Sequence, residues 1–337
     1  MDILVIAKCM LKLFIILVLG FVLNKCNIID NATGKKLSSL VVKVTAPLWI
    51  ISTALSASTE NRYKVLLVFG AGILMYLGFI IFARIVTTLL RINPKDRPIY
   101  ECMMVFSNNS FMGFPVLQSV LGDEAVFYSS MLHFSFNIFI YTYAVYCLKS
   151  AAQNSDNNIS DKHDNTAGDG RIYGKGRGAG RRSLGQRAAE LARSLVTPGF
   201  ILILLALVIF ITGIRDDGVV YETCYMIGNT TSVLSMLVLG AAFAQYPVKE
   251  SLSDLRSYGF SVIRLLVIPL VTLLVCRVLH VNEFYTAIAT ITNGMPVASM
   301  VVMMANEHDA DTKIVTRNIV VTTALSLITI PIIVSLL

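Results

Sequence analysis

The sequence predicts an all-α integral membrane protein, with ten transmembrane helices arranged as two inverted five-helix repeats. Three observations carry that expectation. The first is composition: of 337 residues, 55% are apolar and 15% charged, and the mean hydropathy is +0.70. A soluble domain carries about 25% charged residues, and an apolar excess of this size needs lipid as a second solvent. A water-soluble enzyme, a disordered chain and a nucleic-acid binder are excluded on that ground, although the pI is near 9.1. The second observation is a set of ten apolar runs long enough to cross a bilayer. The third is a pair of polar interruptions, in the fourth and the ninth of those runs.

The runs lie at 3–23, 37–56, 65–90, 98–121, 124–148, 195–214, 220–244, 258–279, 283–305 and 311–336. A hydrocarbon core takes about 20 residues per helix, and lipid offers no partner for free backbone groups, so such runs form helices. The first is read as a retained helix and not a signal peptide. Met1-Asp2-Ile3-Leu4 has no basic stretch, and no small-residue cleavage site follows. Orientation follows from Lys and Arg in the connections. The odd-numbered connections carry 18 of them, and the even-numbered ones four, Arg62, Lys64, Arg215 and Arg277. With the odd connections cytoplasmic, both termini are extracytoplasmic.

Residues 149–194 are rich in Gly, Arg, Asp and Asn and nearly free of large apolar side chains. Such a stretch cannot bury enough surface to offset ordering entropy, and a mobile cytoplasmic linker is expected. It separates a first repeat, residues 1–148, from a second, residues 195–337. Five helices per half force opposite orientations in the membrane. In the second helix of each half, Lys43-Val44-Thr45-Ala46-Pro47-Leu48 aligns with Asn229-Thr230-Thr231-Ser232-Val233-Leu234, matching at Thr and Leu.

The interruptions SNNSFMGFP (107–115) and ITNGMPVAS (291–299) fall at corresponding positions of the two halves, which points to a transporter binding site. Pro and Gly supply the break, and the half-helix N-termini it exposes carry free N–H groups and partial positive charge that suit a carboxylate. Asn108, Asn109 and Ser110 in the first break, and Asn293 and Gly294 in the second, are candidate substrate-binding residues. Pro115 and Pro296 shape the crossover. Lys43 falls near the middle of the second run, too deep to snorkel easily, and is a candidate to attract a carboxylate or carry a proton. His133 is either a proton-coupling group or a histidine satisfied by a neighbouring hydroxyl.

Other residue clusters read as structure. The six cysteines show no metal or disulfide spacing. Asn306-Glu307-His308-Asp309-Ala310-Asp311 reads as a solvated helix–helix turn, not a metal centre. Gly122-Asp123 lacks the partners an intramembrane aspartyl protease would need, and Arg97 and Glu101 are expected to pair. GKGRGAGRR (174–182) lacks the GK[ST] ending of a phosphate loop. No catalytic constellation, metal set or cofactor motif emerges, so an enzyme is not expected.

Several motifs, in order, resemble the auxin efflux carrier family, which includes the plant PIN-FORMED proteins and many bacterial members. NNSFMGFPVL (108–117) is similar to its Asn-Thr-x-x-Met-Gly-Ile-Pro-Leu-Leu stretch, with Asn108, Met112, Gly113 and Pro115 identical. TAPLW (45–49), FNIFIYT (136–142), GNTTSVLSM (228–236), RLLVIP (264–269), MPVAS (295–299) and TTALSLITIP (322–331) match as well, and Asn137 fits the family pattern as a residue lining the site. Val233 stands where the family usually has Pro, so the seventh helix is expected to be straighter. Lys43 stands where bacterial members often have Asn.

The resemblance implies a fold like that of the sodium–bile acid symporters. Helices one, two, six and seven form a scaffold, and the other six form a transport domain in which helices four and nine cross. It implies a secondary transporter of the plasma membrane that exports small organic anions, auxin-like weak acids, by elevator-type alternating access. The alternatives are a dicarboxylate (malate or malonate) carrier and a sodium-coupled organic anion symporter. The expected partners are the anion and the lipid bilayer, with proton or sodium coupling and a homodimer left open, and no nucleic acid.

Overall fold

The computed structural model describes residues 3–56, 62–152, 198–245, 254–308 and 310–337. Each of the ten apolar runs coincides with a helix or with a pair of half-helices. The first two helices are α1 (Ile3–Lys25) and α2 (Asn31–Ser56), the latter carrying a π turn at Val41–Thr45 just ahead of Pro47. Pro47 has no N–H to give, and the wider turn absorbs the missing bond. Next come α3 (Arg62–Leu89), α4 (Arg97–Val105), α5 (Phe114–Leu121) and α6 (Asp123–Ala152).

The second half contains α7 (Pro198–Thr212), α8 (Val219–Phe243), α9 (Leu255–Val278), α10 (Glu283–Asn293), α11 (Ser299–Glu307) and α12 (Thr312–Ser335). Among the described residues, six helices are long and apolar enough to cross a membrane in one piece: α2, α3, α6, α8, α9 and α12. The pairs α4/α5 and α10/α11 are the interrupted runs. As Val233 in place of Pro suggests, α8 runs unbroken.

The helices pack as two groups. One is α1, α2, α7 and α8; the other is α3 to α6 with α9 to α12. Glycine makes the first group tight. A Cβ on Gly240 would lie 1.8 Å from Leu17 O, one on Gly20 2.2 Å from Leu237 O, and one on Gly228 2.5 Å from Trp49 Cα. Small residues at helix contacts let backbones approach without a side chain between them. The groups meet where α1 packs against α5 and α12, where α2 packs against α6, and where α8 packs against the turn that leads into α5. Large apolar side chains such as Leu11, Ile15 and Leu19 on α1, with Leu66, Leu74, Ile81, Leu270 and Leu274, point outward, as lipid contact requires.

Local chemistry explains several helix ends. Asp30 caps α2 by accepting from Thr33 N–H at 2.7 Å, and those bonds to Thr33 hold its carboxyl below the usual range. Asp254 caps α9 and pairs with Arg317 of α12. Gly122 takes φ 84°, a conformation open to glycine, between α5 and α6. The neighbouring Asp123 carboxylate accepts from Gln118 Nε2 at 2.9 Å. The Gly-Asp pair is thus a helix corner.

Two expectations are corrected. Helix α6 continues to Ala152, so the first four residues of the expected linker 149–194 are helical; residues 153–194 lie outside the described residues. Glu101 does not pair with Arg97. It accepts from Thr87 Oγ1 at 3.2 Å and Tyr143 Oη at 3.1 Å, which ties α4 to α3 and α6, while Arg97 Nε is buried without a partner. Glu101 lies on the inner face of α4, where hydroxyls of the packed helices reach it first.

Candidate functional site

The site begins with the backbone. Helix α4 stops at Val105, Phe106 is extended, and a π turn (Asn109–Gly113) leads into α5. Helix α10 stops at Asn293, and the chain re-enters a helix at Ser299. The two breaks meet: Ser107 and Val297 form an antiparallel bridge. Asn108 N–H donates to Pro296 O at 2.8 Å, and Ala298 N–H donates to Phe106 O at 3.0 Å.

This pairing answers a physical demand. Backbone groups freed by a break at lipid depth must find protein partners, and here each break satisfies the other. Asn108 O accepts from Met112 and Gly113 N–H at 3.3 and 3.1 Å, which starts the π turn. Val297 N–H approaches Thr322 Oγ1 of α12 at 3.4 Å. Pro115 stands in the first turn of α5, where a missing N–H costs nothing. Pro296 cannot extend α10, and its carbonyl serves the bridge.

The side chains divide into those already bonded and those not. Asn109 accepts from Ser107 Oγ at 2.7 Å and donates to Tyr76 Oη at 3.4 Å. Asn293 Nδ2 donates to Ala289 O at 2.8 Å and contacts Met75 Sδ at 3.1 Å, and its own carbonyl accepts from Arg264 Nη1 at 2.8 Å. Ser110 Oγ lies 2.9 Å from His133 Nε2. By contrast Asn108 Nδ2, Ser299 Oγ, Thr323 Oγ1 and the Nε and Nη2 of Arg264 are buried without a hydrogen-bond partner. Most buried polar atoms in folded proteins are bonded, so partnerless atoms around one crossing mark it as the place to look for a ligand.

The crossing therefore gathers Asn108, Asn109, Ser110, Pro115, Asn293, Gly294 and Pro296, as the sequence suggested. Asn137 is half-buried on α6, one turn beyond His133. Lys43 stands apart. It is exposed on the π turn of α2, outside the buried cluster, two residues before Thr45, whose hydroxyl accepts from Thr231 Oγ1 at 2.9 Å. Beside the crossing, a small, open apolar recess is lined by Leu13, Phe14 and Leu17 of α1, Met112, Met236 of α8, and Thr323 and Leu327 of α12. Thr323 supplies the only hydroxyl among these lining residues.

The family described as membrane transport protein matches residues 5–334. The chain belongs to that family. It is a membrane transporter of the auxin efflux carrier family, integral to the membrane and multi-pass, and the family is one of transporters, not enzymes. No curated protein matches the chain. Among the described residues of this transporter, no group of three His, Cys, Asp or Glu side chains could hold a metal ion. Asp311, part of the acidic run after α11, instead caps α12 by accepting from Lys313 N–H at 2.8 Å.

Sequence reasoning missed Tyr76, Thr322 and above all Arg264 as parts of this transporter's crossing. The signal for Arg264 was present: an arginine well inside the apolar run 258–279, whose other arginine, Arg277, lies at the end of the run. An ionisable residue at such depth points to function by default. It drew attention only as part of RLLVIP.

Proposed function

We propose that this transporter exports small organic anions that have an apolar body, auxin-like weak acids, by elevator-type alternating access. The observation that carries the reading is the joined pair of breaks. Two half-helix starts, at the π turn before α5 and at α11, open from one bridged crossing, with the partnerless Asn108 Nδ2 among them and a small apolar recess alongside. Helix starts offer N–H groups and partial positive charge to a carboxylate, Asn108 adds a neutral donor, and the apolar walls suit a ring or alkyl body. A dicarboxylate has little to place against such walls, which favours auxin-like acids over malate or malonate.

The reading includes ten transmembrane helices in two inverted repeats joined by the stretch 149–194. One contact in particular supports it. Thr45 and Thr231, aligned across the halves, hydrogen-bond to each other, as expected close to a pseudo-two-fold axis. The division of the helices into two packed groups supports one group moving against the other. We place both termini on the extracytoplasmic side, from the 18-to-4 charge count, and the protein in the plasma membrane by its resemblance to the auxin efflux carriers.

Thermal shift of the purified protein against a carboxylate panel, with and without sodium, tests the function. Stabilisation by indole-3-acetate or a similar monocarboxylate is expected, independent of sodium. Stabilisation by malate or malonate alone, or only in sodium, would replace this reading with the dicarboxylate or symport alternative.

A further inference from the structure

Arg264 lies on the π turn of α9 and is 1% exposed. Of the five N–H donors of a guanidinium, one at Nη1 is bonded to Asn293 O, at the end of α10. Nε and Nη2 have no partner, and among the described residues no carboxylate pairs with the side chain. A buried cation left so is expensive, more so at membrane depth. Which atoms are left is informative. Nε and Nη2 lie on one edge of the planar group with their N–H bonds nearly parallel, the fork that takes both oxygens of a carboxylate side-on. The bond from Nη1 to Asn293 O fixes the plane of that fork relative to the crossing. Tyr76 is its electrostatic neighbour, and the Tyr76 hydroxyl in turn accepts from Asn109 Nδ2. The guanidinium is therefore bonded to the end of α10 and lies near the tyrosine that holds Asn109 of the other break.

We propose that the free edge of Arg264 binds one carboxylate group of the transported anion, through Nε and Nη2. The inference rests on the reading of the crossing as an anion site, and it adds the charge partner and the ligand geometry. Neutralisation of the cation by the ligand would make carboxylate, and not amide or ester, the recognised group.

The test compares binding of indole-3-acetate and its neutral amide, indole-3-acetamide, to the purified full-length protein and to Arg264→Lys and Arg264→Gln. Wild type should prefer the acid by about 10- to 100-fold, the range of a charge-assisted bidentate contact. The glutamine variant should lose that preference, and the lysine variant, which keeps a charge but no fork, should lose most of it. A purely structural Arg264 would leave the acid-to-amide ratio unchanged in both variants, and that result overturns the inference while leaving the crossing as the anion site. Failure of wild type to bind any carboxylate overturns both. Should neither variant fold, a structure of wild type with bound indole-3-acetate decides: carboxylate oxygens on Nε and Nη2 support the inference, and a carboxylate elsewhere overturns it.

Discussion

At the scale of the residue, the crossing separates side chains that build the site from those free to bind. Asn109 and Asn293 are committed to hydrogen bonds within the protein, whereas Asn108 Nδ2 has none. Asn108→Ala should therefore leave the detergent melting temperature nearly unchanged and weaken anion binding about 5- to 150-fold, the worth of one buried donor at about 1–3 kcal/mol; titration of the purified variant checks it. Lys43 is exposed and stands outside the buried cluster, so it makes at most a weak, long-range contribution to anion binding. Lys43→Met is expected to change transport by less than about 5-fold, at the upper end of such a contribution; a larger loss in a flux assay would place this cation on the substrate path. The asparagines and prolines were legible because polar residues inside an apolar run have few innocent explanations. The split between committed and free amides was not, since it depends on partners such as Tyr76 and Met75, which lie more than 30 residues away in the chain and more than 200 respectively.

At the scale of the element, glycine and capping decide how close the helices come. Gly240→Ala would set a methyl against Leu17 O and force α1 from α8, at a cost of about 1–3 kcal/mol or more for overpacking. Gly70→Ala, with nothing within 4 Å of the added carbon, should be neutral or slightly stabilising through helix propensity; paired melting curves check the contrast. Asp30 offers a pH test. Its folded-state pKa is depressed by the bonds to Thr33, so its stabilising effect is present above the unfolded value, about 3.9, and disappears as pH falls through the folded one. The melting difference between wild type and Asp30→Ala should be largest near neutral pH and vanish at low pH. The ten helical runs were legible from hydropathy, although α2 begins at Asn31, six residues ahead of the apolar run 37–56, because Asp30 caps a polar first turn. The π turns were not, because they answer to packing and to proline at a distance, and the end of α6 ran past the change in composition at 149.

At the scale of the whole molecule, two groups of helices pack together around one bridged crossing between broken helices, and the proposed inverted repeat would bring the hydrogen-bonded Thr45 and Thr231 together. The topology proposed here rests on the charge count, since Lys and Arg follow the membrane's asymmetry. Cysteines introduced at 155–190 should react with impermeant reagent from the cytoplasm alone, and a cysteine added at the C-terminus from outside alone; a cytoplasmic C-terminus would remove the inverted repeat. What no composition revealed is that the breaks hydrogen-bond to each other, because that pairing spans 188 residues between Asn108 and Pro296. The central claim is that the crossing carries a small organic anion across the bilayer. Counterflow in proteoliposomes tests it most directly, with unlabelled indole-3-acetate inside and a trace of labelled indole-3-acetate outside. The account predicts transient accumulation of label with wild-type protein and its loss with Asn108→Ala; no accumulation with wild type, or equal accumulation with the variant, would contradict it.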